Sequence, residues 1–375
     1  MKVGVDIRVL SGSAQTGVQE YIINILPRLI ESAPDIEWYL FYNDRNELKK
    51  KYTWLNYPNV HLIHKRWPNR LFNLSSALLG WPKIDNLLGG VDKFFFPHFF
   101  VGEVSKNIKI IVTFHDISFK YYPQFFSIKH KIWQKFSRPQ KKAIQASRLI
   151  VDSHSTMNDL VDLYNIKSEK VKVIYLGVDD KFRARMKTDK EIVQVRRKYN
   201  IPSKIILFFG TTEPRKNIVG VIKAFAEFRK LNPEYHLIIA GALGWKYKGV
   251  LKEIEKTKNV LMIGPVDNKD REFVYNCADL FVYPSFFEGF GLPPLEAMAS
   301  GIPVITSNCS SLPEVVGNSA IMVDPFNISE ISFVMKEIIK DKKLYKSLRV
   351  DGIKRAMEFS WDMCADKTLE VIKEA

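Results

Sequence analysis

Three cysteines, Cys277, Cys309 and Cys364, are all that a chain of 375 residues contains, and their spacing fits no metal-ligand pattern. An odd, scattered set argues against a disulfide framework and fits a reducing, cytosolic compartment, with core packing as the role of each. No stretch reaches the roughly 18 uninterrupted apolar residues of a membrane-crossing helix. The opening Met1-Lys2-Val3-Gly4-Val5-Asp6-Ile7 is a strand pattern broken by Asp6 and Arg8, so neither a secretory signal nor a span is expected there. Low-complexity runs are also missing, which together with 46% hydrophobic content argues for a folded soluble protein. No Asp-x-Asp triplet occurs, and no G-x-G-x-x-G follows the first strand, since Gly12 and Gly17 lack that spacing. The second absence disfavours a dehydrogenase. Acidic residues are the minority, 41 against 56 Lys and Arg, for a net charge of +15. Such an excess raises nucleic-acid binding as a rival class, but no recognition motif accompanies it.

What is present is a repeated alternation of apolar strands and amphipathic helices, the pattern of parallel sheets covered on both faces. In the first half, strands are predicted at Lys2 to Val9, Trp38 to Tyr42, Val60 to His64, Lys93 to Phe96, Ile108 to Phe114, Arg148 to Asp152 and Lys170 to Tyr175. A second series starts at Lys204 to Phe209 and continues at His236 to Ala240, Val260 to Ile263, Leu280 to Tyr283 and Val304 to Ser307. The length suits two domains better than one. The expected division is α/β domains at 1–180 and 181–358, two Rossmann-like units facing across a cleft, with a last segment at 359–375.

Two loops of the second half carry chemistry. Glu288 and Glu296 frame Gly289-Phe290-Gly291-Leu292-Pro293-Pro294-Leu295, where a strand hands over to a helix and the prolines suit the first turn. Glycines without side chains let a ligand approach the main chain, N–H groups ahead of a helix attract anionic oxygens, and two carboxylates accept bonds from vicinal hydroxyls. The reading takes this backbone as exposed and places Glu296 in the first turn. Upstream, Gly210-Thr211-Thr212-Glu213-Pro214-Arg215-Lys216-Asn217 follows an apolar strand. Asn217 is the expected N-cap of a helix whose stripe is Ile218, Val221, Ile222, Phe225, Phe228 and Leu231. Arg215 and Lys216 thus lie at the carboxyl end of a parallel sheet, where two cations can neutralise a diphosphate. A Gly-Pro turn with a solvated glutamate, and a solvated basic turn, are the plainer alternatives.

With both loops in hand, the chain resembles glycosyltransferase family 4, the nucleotide-sugar-dependent retaining enzymes of the GT-B architecture. The likeness is strongest from Gly210 to Pro325, including Ser310-Ser311-Leu312-Pro313-Glu314-Val315-Val316-Gly317, and weakens toward the amino terminus. The resemblance implies that Glu288 meets hydroxyls of the donor sugar, that Glu296 meets the ribose, and that Gly264-Pro265-Val266 offers backbone to the base. It implies that Gly17, in the glycine-containing loop after the first strand, lies near the diphosphate, although a simple helix-start turn fits as well. His115, in Val112-Thr113-Phe114-His115-Asp116, inherits by position a role near donor sugar and acceptor, with His98 a weaker second. The final helix is implied to cross back onto the first domain. Glu20 departs from the basic or small polar residue usual before Tyr21, so no acceptor contact is carried over from 19–21.

The expected chemistry is stabilisation of the departing diphosphate by Arg215, Lys216 and the backbone around Gly289 to Leu292, with Glu288 and His115 completing the catalytic set. No cofactor or metal is called for. Gly241-Ala242-Leu243-Gly244-Trp245 together with the two motif loops resembles family members that are often mannosyltransferases, which makes GDP-mannose the first donor guess and a UDP-hexose the second. A glycan, lipid-linked or small-molecule acceptor is expected. Between Lys106 and Arg148 stand ten Lys or Arg against one acid, Asp116. Ile128, Ile132, Trp133 and Phe136 beside Lys129, Lys131, Lys135, Arg138, Lys141 and Lys142 make a basic amphipathic helix that suits the anionic inner face of the cytoplasmic membrane. A core-packing helix with a solvated basic face is the alternative. A sugar-nucleotide epimerase is the rival enzyme class.

Overall fold

The structure is a computed structural model describing residues 1–12 and 16–375. It divides into unit 1, made of Met1–Ile117, Ile128–Gly177 and Trp361–Ala375, and unit 2, made of Ser118–Ser127 and Val178–Ser360.

Among the described residues, unit 1 has one sheet of seven strands: β1 (Lys2–Asp6), β2 (Glu37–Asn43), β3 (Val60–Lys65), β4 (Lys93–Phe96), β5 (Lys109–Phe114), β6 (Arg148–Val151) and β7 (Val171–Val173). Unit 2 has six: β8 (Ile205–Phe209), β9 (His236–Ala240), β10 (Val260–Gly264), β11 (Leu280–Tyr283), β12 (Val304–Ser307) and β13 (Ile321–Val323). Every pairing is parallel. Strands buried on both faces read as unbroken apolar runs, and IILFF, LIIA and LFVY are such runs. The spatial orders are β3-β2-β1-β4-β5-β6-β7 and β10-β9-β8-β11-β12-β13. In each sheet the first strand in sequence has its successors on opposite sides, so the winding reverses between β1 and β4 and between β8 and β11. Crevices for ligands form at the carboxyl ends of strands at such a reversal.

The helices used below are α1 (Gly17–Ser32), α2 (Asn69–Leu79), α3 (Ile128–Ser137), α4 (Ile218–Arg229), α5 (Arg271–Asn276), α6 (Leu292–Ala299) and α7 (Trp361–Glu374). Helix α1 starts at a capping box, in which Thr16 and Gln19 satisfy each other's backbone N–H groups. It buries Tyr21, Ile22, Ile25, Leu26, Leu29 and Ile30. Helix α7 returns to pack on α1, burying Trp361, Cys364, Leu369 and Ile372, with Arg28 bonded to Asp362 at 2.5 Å.

Several expectations need correction. Strand β1 stops at Asp6, not Val9, because Arg8 folds back to clasp the Asp6 carboxylate at 2.6 Å and a 3-10 turn follows. Leu231 is not part of the α4 stripe; the helix ends at Arg229 and Leu231 is exposed. Strand β13 was not foreseen, since three residues are too short a run to declare a strand. The basic stretch is not one helix: Arg138 adopts a left-handed conformation and Pro139 opens a second helical segment. Lys142 is not on a solvated face; its ammonium donates to the Gly102 carbonyl at 2.5 Å, and burial draws its pKa down to about 8.

Candidate active site

The two motif loops leave the carboxyl ends of β8 and β11, hydrogen-bonded neighbours on either side of the unit 2 reversal. That adjacency brings residues some seventy positions apart into one cluster. After β8, Gly210 takes φ +157°, and a Cβ there would stand 3.3 Å from the Lys216 side chain. Gly241, at the end of β9, has φ +132°, and a Cβ on it would stand 2.2 Å from the Gly210 carbonyl oxygen. Only glycine lets these two strand ends approach so closely.

Pro214, Arg215 and Lys216 form a 3-10 turn ahead of α4. Asn217 holds the N-cap position of α4 but not the expected capping bond. It is left-handed, and its side-chain amide donates to the carbonyls of Pro284 and Pro325 at 3.2 and 2.6 Å. Its role is therefore to fasten the β8 loop to the segments that follow β11 and β13.

Glu288 is the centre of the cluster. Arg215 Nη1 lies 2.8 Å from one carboxylate oxygen and Lys216 Nζ lies 3.1 Å from the other. Arg215 also pairs with Glu213 at 2.7 Å and donates to the Phe287 carbonyl at 2.5 Å, while Lys216 meets the Tyr283 hydroxyl. The Glu288 backbone N–H donates to Ser310 Oγ at 2.8 Å. The Ser311 hydroxyl lies 2.9 and 2.7 Å from the carbonyl oxygens of Glu288 and Phe290. Burial pushes the Glu288 carboxyl up, but the two cations more than reverse this and hold it at about 2. The site thus contains two cations already matched by two carboxylates, rather than the unpaired cations the sequence suggested.

The backbone of Gly289, Phe290, Gly291 and Leu292 is buried, where the sequence reading had it exposed. Gly291 has φ +119°, and a Cβ there would stand 2.7 Å from Leu312. Leu292 opens α6 with prolines behind it, so Glu296 falls in the second turn and not the first. Its carboxylate is held by Arg271 Nη2 at 2.5 and 2.7 Å and by the Tyr275 hydroxyl at 2.7 Å, both from α5. The Tyr275 ring stacks on Phe209 at 5.2 Å, and the Arg271 guanidinium lies 5.5 Å from the same ring. Glu296 and Glu288 therefore belong to separate networks that both border the end of β8. Gly264 ends β10, two strands from β8, with φ +73°, and Val266 follows it.

Arg271, Tyr275, Tyr283, Glu213, Ser310 and Ser311 were not singled out by sequence. Glu213, Ser310 and Ser311 lay inside quoted motifs and Tyr283 ended a predicted strand, whereas Arg271 and Tyr275 carried no local signal. The segment Ser118–Ser127 was missed as a part of unit 2: Phe125 stacks on Phe286 at 5.5 Å, and Trp245 donates to the Phe125 carbonyl at 2.7 Å. A cavity of about 370 Å³ lined by Glu213, Asn217, Lys223, Tyr247, Phe286 and Phe326 lies in unit 2, and none of Gly210, Lys216, Glu288 or Glu296 lines it.

In unit 1, His115 sits just past β5 with both ring nitrogens engaged, Nδ1 with Asp152 at 2.6 Å and Nε2 with the Pro97 carbonyl at 2.9 Å. A carbonyl only accepts, so Nε2 carries a proton, and the carboxylate favours a second on Nδ1. Burial opposes the charge, but Asp152 outweighs it and the His115 pKa is raised. His98 stacks on His115 at 5.7 Å and is driven down to about 3 by burial and by that neighbour. Gly17 is the first residue of α1, and a Cβ there would meet nothing within 4 Å. Neither strain nor a close approach explains a glycine at that position.

Among the described residues, no helix is long and apolar enough to cross a membrane, and no group of three or more His, Cys, Asp or Glu is placed to hold a metal ion.

Comparison with known proteins agrees with this architecture. A family model described as "Glycosyltransferase Family 4" matches residues 16–182, and one described as "Glycosyl transferases group 1" matches residues 191–355. The chain is 31% identical over 271 residues to O-antigen chain mannosyltransferase B of Escherichia coli, covering 71% of this chain and 70% of that one. It is 30% identical over 238 residues to the serotype-specific mannosyltransferase WbdA of Escherichia coli, covering 60% of this chain but only 28% of that longer protein. Among solved structures, sucrose-phosphate synthase from Thermosynechococcus elongatus superposes with a TM-score of 0.74 at 18% identity, covering 100% of this chain and 98% of that one. WaaG, a glycosyltransferase involved in lipopolysaccharide biosynthesis, gives 0.74 at 16% identity with 100% of both chains covered. These likenesses establish the GT-B fold, and with the O-antigen relative and the two family matches the chain belongs to glycosyltransferase family 4.

Proposed function

We propose that this glycosyltransferase moves mannose, with retention of anomeric configuration, from GDP-mannose to a glycan or lipid-linked acceptor. A UDP-hexose is the second donor. The observation that carries the reading is the cluster of Arg215, Lys216 and Glu288 at the reversal between β8 and β11. The names of the two mannosyltransferase relatives support mannose.

Cleavage of the bond between the anomeric carbon and the diphosphate builds negative charge on the leaving group. Arg215 and Lys216 are held in place by Glu213, Tyr283 and Glu288, so they oppose that charge without reorganising. A diphosphate competes with Glu288 for both cations. As phosphate oxygens take them over, the Glu288 carboxylate, which those cations hold ionised until then, is released to accept bonds from sugar hydroxyls. Fixed side-chain cations do the work of a divalent ion, so the transfer is metal-independent. Glu296, oriented by Arg271 and Tyr275, takes the ribose; Gly264 and Val266 border the base. Lysines 129, 131 and 135 of the basic region keep the enzyme at the inner face of the cytoplasmic membrane, near a lipid-linked acceptor.

A thermal-shift panel of GDP- and UDP-sugars tests the donor, because a ligand that binds only the native state raises its apparent stability. GDP-mannose should give the largest shift. Product NMR then reads the anomeric configuration, and turnover in excess chelator reads metal dependence. A panel in which no nucleoside diphosphate shifts the protein would refute the site.

A further inference from the structure

Helix α5 delivers Arg271 and Tyr275 to Glu296, yet it is only six residues long. A helix of that length does not hold itself together in water, so its place is set by what it is tied to. At its far end the tie is Asn276, whose side chain accepts from the Arg185 backbone N–H at 2.8 Å and donates to the Arg183 carbonyl at 3.1 Å. Phe182 adds an edge-on contact with the Tyr275 ring at 5.7 Å. Those contacts account for the placing of Tyr275. Arg271 stands at the opposite end, next to Asp270, and needs a tie of its own.

Asp270 occupies the N-cap position of α5 and is buried, but its carboxylate makes no capping bond. An aspartate in that position ordinarily accepts from the N–H groups of the first turn. Here the carboxylate instead meets the Tyr199 hydroxyl at 2.9 Å and Lys198 Nζ at 2.6 Å, both at the end of the helix Lys190–Lys198. The same Tyr199 oxygen accepts from the Asp267 backbone N–H at 3.1 Å. Asp267 is one residue beyond Val266, and its carbonyl receives the Asp270 N–H at 2.9 Å, closing the turn that leads into α5. One hydroxyl therefore fixes both ends of the turn that joins the β10 loop to α5.

Lys198 contributes less to that fixing. Its side chain is 45% exposed and that of Asp267, its other partner at 2.5 Å, is 61% exposed, and ion pairs open to solvent hold geometry weakly. The Asp270 side chain is 11% exposed, and a hydrogen bond to a charged acceptor sheltered from water is stronger and more directional. We infer that Tyr199 is a positioning residue for nucleoside binding, acting through Asp270 and Arg271 on the Glu296 carboxylate. The inference rests on the reading of Glu296 as the ribose contact, and it adds a residue that lies outside both motif loops.

The test is Y199F, which keeps the ring and removes the hydroxyl. GDP and UDP are titrated calorimetrically into the full wild-type chain, and the tighter of the two, with its hexose donor, is carried forward. The affinity of Y199F for that nucleotide should fall about tenfold, the size expected for one lost hydrogen bond to a charged group. In donor hydrolysis KM should rise by a similar factor while kcat stays within about twofold, whereas a merely structural role would lower the melting temperature and leave KM alone. The double variant Y199F/E296Q follows the path of the effect: it should bind the nucleotide within about twofold of E296Q alone, because two losses at one contact overlap. A Y199F variant that binds like wild type overturns the inference and leaves the donor reading standing, and losses that multiply in the double variant overturn the route through Glu296. Wild type that binds neither nucleotide overturns the donor reading itself, and this inference with it.

Discussion

Replacing Glu288 with Gln keeps the shape of the side chain and removes its charge from between two cations. The native carboxyl is held at about 2 against an ordinary 4.5, the net of burial raising it and Arg215 and Lys216 lowering it further. A gap of about 2.5 units corresponds to roughly 3 kcal/mol. Because the folded pKa lies below the unfolded one, that stabilisation is complete above the unfolded pKa and is lost as pH falls toward the folded pKa. At pH 7 the E288Q variant should be about 3 kcal/mol less stable, in line with the usual cost of removing one member of a buried ion pair. At pH 3 about 2 kcal/mol of that difference should have gone, since most of the unfolded chain is then protonated at this position. The assay is urea unfolding of the full chain at the two pH values, read on the transition that the substitution moves. Transfer should be lost at pH 7 in conditions where the variant is still folded. Coincident unfolding curves at both pH values would refute the ion-pair account, and near-normal turnover would refute the role of Glu288 in transfer.

The double variant R215A/K216A should weaken GDP binding by far more than guanosine binding in calorimetric titration, because the two cations act on the diphosphate; equal losses would remove them from that role. E296Q should behave in the opposite sense, lowering guanosine and GDP affinity together, since the contact assigned to it is on the ribose; a loss confined to GDP would place it elsewhere. G241A should cost more than about 3 kcal/mol, because its Cβ would stand 2.2 Å from the Gly210 carbonyl oxygen at φ +132°. An unchanged melting temperature would show that the β8 and β9 ends can separate freely.

How much could be read from the chain follows from the range of the forces involved. The strands β4, β9, β11 and β12 were legible to the residue, because a strand covered on both faces is largely apolar, with polar residues only toward an end, and the covering is written into its own four or five residues. The glycines and prolines around Gly291 marked a strand-to-helix turn for an equally local reason, the missing side chain and the missing N–H. The helix stripe on α4 is a local periodicity too, and it named most of the apolar residues that the helix buries. What the sequence could not contain is the partner across the sheet. Asn217 looked like a cap and became a tie to Pro284 and Pro325, and Arg215 and Lys216 looked like open cations and became partners of Glu288, because β8 and β11 are neighbours. Arg271 and Tyr275 carried no motif at all; packing against Phe209 delivers them to Glu296. Helices α2 and α3 make the same point in reverse. Periodicity shows that a helix has an apolar side, but only the surfaces available in the folded unit decide whether that side turns to the core, and here Phe72 and Trp133 took the inward places and left the leucines and isoleucines facing out.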